Sequence, residues 1–267
     1  MLNKHINRLM TEGKTLMLAY DQGLEHGPSA DFDLKNVDPQ YVIDIAEKGR
    51  YNALVLQNGV AEKYYHGMNR KIPLIIKLNG KTNIPHVEPF SAQLCSIKRA
   101  VNIGAHAVGY TVYVGSNREA EMFEQFSKIV EEAHDYSIPV IMWAYPRGQS
   151  VTNPLATDTL AHAARVGLEL GADFVKINYN NDPEGFKWVV KAAGKTRVIE
   201  AGGEKTGDKE FLTKTREVIE AGAVGIAVGR NVWQNKRPFL MTQALKKVVF
   251  DGKSVEEAMK VFEQYSE

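Results

Sequence analysis

The chain has 267 residues and a mass of 29.8 kDa, with 44% hydrophobic and 24% charged residues. That composition excludes a disordered chain, a collagen-like fibre and a coiled coil. The balance of 33 Lys+Arg against 32 Asp+Glu gives a formal charge of +1, without the basic excess of a dedicated nucleic-acid binder.

Residues 1–14, MLNKHINRLMTEGK, are too polar for a signal peptide. No run approaches the roughly 18 apolar residues of a membrane span, so the expectation is a soluble, cytoplasmic protein. The single cysteine, Cys95, allows no intrachain disulfide or Cys-rich zinc site, and it fits a reducing compartment.

In chain order, apolar runs alternate with helical patterns. A strand over 15–21 (TLMLAYD) precedes a helix over 39–49 (PQYVIDIAEKG). A strand over 51–57 (YNALVLQ) precedes a weak helix over 60–71. The strand 73–79 (PLIIKLN) leads to a helix over 91–104 (SAQLCSIKRAVNIG), and the strand 105–115 (AHAVGYTVYVG) to one over 117–137. The strand 139–146 (PVIMWAYP) is followed by a helix over 157–171, and 172–179 (ADFVKINY) by one over 182–194. The strand 196–202 (TRVIEAG) precedes a helix over 208–222, and the strand 223–230 (AVGIAVGR) precedes helices over 237–252 and 254–267.

The strand cores are apolar throughout, as parallel strands covered on both sides require. Glycine followed by alanine recurs at 104–105, 171–172 and 222–223, where each glycine reads as a left-handed helix end before a buried strand. Eight βα units predict a single-domain (β/α)8 barrel over 1–267, with an extra C-terminal helix. An open doubly wound sheet is the alternative. It is disfavoured because AYDQGLEHGP after the first strand is not the Gly-rich dinucleotide fingerprint.

In such barrels chemistry sits at the C-terminal ends of the strands. Polar residues that interrupt an apolar strand near that end are therefore the ones to inspect. Lys176 does so in ADFVKINY. A desolvated lysine loses its proton readily and can attack a carbonyl. An ion-paired lysine, or one reaching to the rim, is the plainer alternative. Tyr145 ends the fifth strand two residues after Trp143, and can shuttle a proton if a nearby cation lowers its pKa.

Arg147 follows, as an anion contact or a surface ion pair. Asp21 closes the first strand and is read as orienting the lysine or moving a proton, with an Asx turn as the alternative. Glu25 and His26 share its loop. Lys77 and Lys81 are expected near the same mouth. Gly202 and Gly203 follow the seventh strand, and Gly229 and Arg230 the eighth. These are the loops that hold phosphate in many barrels. The seven histidines (5, 26, 66, 86, 106, 134, 162) show no metal-ligand spacing, so no catalytic metal or other cofactor is expected.

Taken together, AYDQGLEHGP, KLNGKT, WAYPRG, FVKINY, EAGGEK and AVGRNVW resemble the archaeal-type class I fructose-1,6-bisphosphate aldolases, a group related to deoxyribose-phosphate aldolase-like barrels. The resemblance runs in order over all but the chain ends. It implies a Schiff base without metal or other cofactor, on Lys176, with Tyr145 transferring protons and Asp21 in support. It implies a phosphate on Gly202, Gly203, Gly229 and Arg230, and Trp143 lining the pocket. His26, Lys77 and Arg147 would stand near a second phosphate.

It further implies a phosphorylated-sugar substrate in glycolysis and gluconeogenesis, and a homo-oligomer of octamer to decamer size. A related Schiff-base lyase or transaldolase, such as 2-amino-3,7-dideoxy-D-threo-hept-6-ulosonate synthase, is the alternative. DQGLEHGP, with Glu25 and His26, looks like the aldolase side. Gln22 stands where family members usually carry His.

Overall fold

A computed structural model describes residues 2–28, 31–65 and 70–263. Eight parallel strands close into a barrel: β1 (Thr15–Tyr20), β2 (Ala53–Gln57), β3 (Leu74–Lys77), β4 (Ala107–Val112), β5 (Val140–Ala144), β6 (Phe174–Ile177), β7 (Arg197–Glu200) and β8 (Gly225–Val228). Each pairs with its sequence neighbour, and β8 returns to β1 with Thr15 opposite Gly225. All eight expected strands are present. Each is shorter than its apolar run, because the run continues into loops where the ladder has already ended.

Alternation sorts the strands into two cores. Met17, Val55, Ile75, Ile141, Trp143, Phe174 and Ile199 fill the barrel interior, where Ile6 and Leu9 also pack. Leu18, Leu54, Ile76, Val108, Met142, Val175, Val198 and Ile226 face outward against the helices. The N-terminal helix Leu2–Arg8 carries Ile6 into the interior, a plug that the polar start of the sequence did not announce.

Trp143 crosses the interior because Gly109 on β4 lets it. A Cβ at Gly109 would sit 1.9 Å from the indole. Gly104, Gly171 and Gly222 all adopt positive φ at helix ends, as their sequence context required.

The helix expected over 91–104 is corrected. It begins at Ile97, capped by the Ser96 hydroxyl, which accepts from the Arg99 N–H. The residues before it are held elsewhere. Ala92–Gln93 pair with Asn79–Gly80, and buried Asn79 donates to the carbonyls of Ser91 and Thr111.

After β8, Arg230 opens a short helix (Arg230–Trp233) rather than ending the strand. The C-terminal helix is present over Val255–Glu263; residues 264–267 of that expectation lie outside the described residues, as does His66. No helix among the described residues is long and apolar enough to cross a membrane.

Candidate active site

The C-terminal ends of the strands surround a cavity of about 600 Å³. Asp21, His26, Trp143, Tyr145, Arg147 and Lys176 line it, and so do Gly202, Gly203, Gly229 and Arg230. Of the eleven residues to which the resemblance assigns a role, all but Lys77 line it.

Lys176 is the third residue of β6, opposite Trp143 on β5 and Ile199 on β7. It is 5% exposed, and its Nζ lies 5.0 Å from the centroid of the Trp143 ring. Burial pushes its pKa down, while the carboxylates of Asp21, Glu200 and Glu25 oppose the fall. Desolvation is thus the cause of the lowered pKa.

Lys77 is the last residue of β3 and is buried. Its Nζ sits 3.8 Å from Asp21 Oδ2 and 5.4 Å from the Trp143 ring. Burial lowers its pKa, Asp21 raises it and the Lys176 charge lowers it further. Lys77 is not among the residues that line the cavity. Asp21 is ion-paired with Lys77 and is also the strongest of the charges acting on Lys176. Lys81 does not line the cavity either; its Nζ donates to the carbonyl of Thr82 and to Asn83 Oδ1.

Tyr145 is also corrected in one respect. Its pKa is raised, first by burial and then by Asp21, and Arg147 offsets only part of this. The resting side chain is a phenol that holds its proton. Arg147 spans the Tyr113 and Tyr145 rings, 5.5 Å from each centroid, and donates from Nη1 to Glu25 Oε1 at 2.9 Å. The Trp143 Nε1–H is buried and finds no hydrogen-bond partner among the described residues.

The glycine loops are fastened by a residue the sequence reading passed over. Buried Asn231 donates to the carbonyls of Gly202 (2.9 Å) and Glu204 (2.8 Å), and accepts from the Thr206 N–H. Gly202 and Gly203 hold φ of 69° and 59°, a conformation that favours glycine. Arg230 donates to Gly203 O and to Asp31 Oδ1, each at 3.2 Å, and Asp31 also binds His26 Nδ1. Burial would raise the Asp31 carboxyl, but His26 and Arg230 together bring it below the usual carboxylate range.

Glu200, the last residue of β7, was missed. It is buried and lines the cavity. Burial raises its pKa to about 7, against the Gly202 N–H and the charges of Lys176 and Lys214. The signal was available: Glu200 interrupts an apolar strand near its C-terminal end, as Lys176 does. No three His, Cys, Asp or Glu side chains among the described residues converge as a metal site would require.

A parallel barrel with a desolvated lysine, a protonated phenol and a cationic glycine loop around one cavity defines a class of lysine-bearing barrels equipped for carbonyl chemistry on anionic substrates. The chain belongs to the DeoC/LacD family of aldolases, whose family model matches residues 15–235.

It is similar to the class 1 fructose-bisphosphate aldolase of Thermoproteus tenax, at 46% identity over 261 residues, 97% of this chain and 98% of the relative. A crystal structure of an archaeal fructose 1,6-bisphosphate aldolase superposes with a TM-score of 0.90 at 46% identity, covering 94% of this chain and 100% of the other. Another archaeal fructose-1,6-bisphosphate aldolase, with its catalytic Lys bound to the carbinolamine intermediate of the substrate, superposes with a TM-score of 0.88 at 45% identity, covering 93% and 99%.

Proposed function

We propose that this chain is a Schiff-base aldolase that cleaves fructose 1,6-bisphosphate reversibly to dihydroxyacetone phosphate and glyceraldehyde 3-phosphate. The observation that carries the reading is Lys176: an amine desolvated on a barrel strand, facing a cavity with a glycine–arginine loop on one side and Tyr145 on another. Relatives at 45% identity and above bear the same activity in their names.

In this reading Lys176 attacks the C2 carbonyl, and the carbinolamine loses water to give an iminium that draws electrons from the C3–C4 bond. Tyr145, protonated at rest, donates to the departing hydroxyl. The phenolate so formed, beside Arg147, takes the proton of the C4 hydroxyl as the bond breaks. The same phenol then returns a proton to C3 of the enamine, and hydrolysis frees the second product.

Gly202, Gly203, Gly229 and Arg230 hold the phosphate on C1, with backbone N–H groups and a guanidinium fork. Asp31 holds the Arg230 guanidinium beside these glycines. Arg147 and His26 face the second phosphate. Binding energy at both ends then fixes the carbonyl over the amine.

The reading includes a homo-oligomer acting in the cytoplasm. Leu34, Ile84 and Val87 are largely exposed apolar side chains of the kind subunit contacts cover. The test of function is a coupled assay of fructose 1,6-bisphosphate cleavage, with and without a chelator. The expected result is triose phosphate release that the chelator leaves intact. No cleavage, with condensation of a different donor instead, would favour the heptulosonate-type synthase.

A further inference from the structure

The loop after β7 turns at two successive glycines, Gly202 and Gly203, both with positive φ. Their surroundings differ. A Cβ at Gly202 would lie 3.0 Å from Val228 Cα on β8, whereas one at Gly203 would meet nothing within 4 Å. Gly202 is pressed onto the neighbouring strand, and Gly203 stands open on the cavity that both line.

Two glycines in a row have wide conformational freedom, so something must hold this shape. Asn231 does so from behind the loop. It is 2% exposed and is not among the residues that line the cavity. Its amide nitrogen donates to Gly202 O at 2.9 Å and to Glu204 O at 2.8 Å, and its oxygen accepts from the Thr206 N–H at 2.9 Å. One buried carboxamide thus gathers backbone groups from both ends of the stretch 202–206.

Peptide geometry carries this hold to the cavity side. A trans peptide keeps its C=O and N–H in one plane, pointing opposite ways. With the Gly202 carbonyl fixed on Asn231, the Gly203 N–H of the same peptide is turned away from Asn231. That N–H finds no hydrogen-bond partner among the described residues.

We propose that Asn231 is a positioning residue for the phosphate on C1 of the substrate. It presets the Gly202–Gly203 turn so that the Gly203 N–H meets a phosphate oxygen without first having to be ordered. The proposal deepens the aldolase reading and rests on it for the identity of the ligand.

The neighbouring polar groups have other tasks. Arg230 also reaches Gly203 O, at 3.2 Å, but it faces the cavity and shares its guanidinium with Asp31. Asn235 Nδ2 donates to Asp208 Oδ1 at 2.7 Å, and Lys205 Nζ to Gln234 O at 2.6 Å, which fastens the outer part of the loop. Asn231 is the side chain that fixes the orientation of the peptide between the two glycines.

The test separates phosphate binding from the lysine chemistry. Wild type, Asn231→Leu and Asn231→Ala are incubated with dihydroxyacetone phosphate or with dihydroxyacetone, then reduced with borohydride, and the Lys176 adduct is quantified by mass spectrometry. Leucine keeps the branched shape of asparagine, without charge and without its hydrogen bonds. In both variants the concentration of dihydroxyacetone phosphate that gives half-maximal adduct should rise by about tenfold. The response to dihydroxyacetone, which has no phosphate, should stay within about twofold of wild type. Inorganic phosphate, as a competitor of the phosphorylated ketone, should weaken by the same factor.

An unchanged response to dihydroxyacetone phosphate in both variants would overturn the proposal. An equal loss with both ketones in both variants would do the same, because it marks a merely structural role. Should wild type form no adduct with either ketone, calorimetric titration with inorganic phosphate decides separately. Weaker binding in the variants would then leave the role of Asn231 standing and remove the Schiff-base reading, and equal binding would overturn both.

Discussion

The two ends of the barrel are built from the same strands, yet they are opposite in character. On β6, Phe174 packs among Met17, Ile75, Ile141 and Ile199, in the interior that Ile6 and Leu9 also enter. Two residues later on the same face stands Lys176, with Lys77 and Asp21 close by and Glu200 on the next strand. One pleat repeat, about 7 Å, separates an apolar plug from a cluster of buried charge.

The difference separates the tasks. The floor contributes stability through burial, and the mouth accepts desolvated charge because the chemistry uses it. The two lysines sharpen the same point. Both are buried on strands and both lie about 5 Å from Trp143, but only Lys176 lines the cavity. Lys77 faces Asp21, an arrangement that holds a carboxylate in place rather than presenting an amine.

The comparison predicts opposite responses to substitution. Lys176→Met should lower kcat/KM by on the order of 10⁴-fold or more. It should also raise unfolding stability by about 1 kcal/mol, since a buried amine gives way to an apolar chain. Steady-state kinetics and urea denaturation check the two halves, and lost stability would break the division of labour.

Phe174→Ala at the floor should do the reverse. It should cost about 3–5 kcal/mol of stability in urea unfolding and leave the lysine competent for adduct formation at low temperature. Tyr145→Phe should reduce kcat by about 10²–10⁴-fold, with little change in melting temperature and slower build-up of the borohydride-trapped adduct. An unchanged rate of adduct build-up would take the carbinolamine dehydration away from Tyr145. Arg230→Ala, at the rim, should raise KM by about 10–100-fold with a smaller effect on kcat, measured over a range of substrate concentration.

Much of this was legible in the sequence for stated physical reasons. Parallel strands covered on both faces must be apolar, so their number and order could be read from the runs. Glycines at helix ends marked where three of the strands begin. Lys176 stood out because a charge inside such a run must have a use or a partner.

What was not legible is pairing across long separations. Arg230 meets Asp31, 199 positions away, and nothing local to either residue announces it. The depth of Lys77 depended on where β3 ends, and the apolar run continued past that point to Leu78. Glu200 is a different lesson. It met the criterion that selected Lys176, but the adjacent glycines drew the reading of VIEAGG toward phosphate. Asn231 carried no charge and sat in a short helix, so its stapling of two loops emerges only from the fold.

The most direct test is borohydride reduction in the presence of fructose 1,6-bisphosphate, followed by peptide mapping of both buried lysines. The account predicts a reduced substrate adduct on the peptide containing Lys176 and an unmodified Lys77. An adduct on Lys77, or no adduct on either lysine while cleavage proceeds, would contradict it.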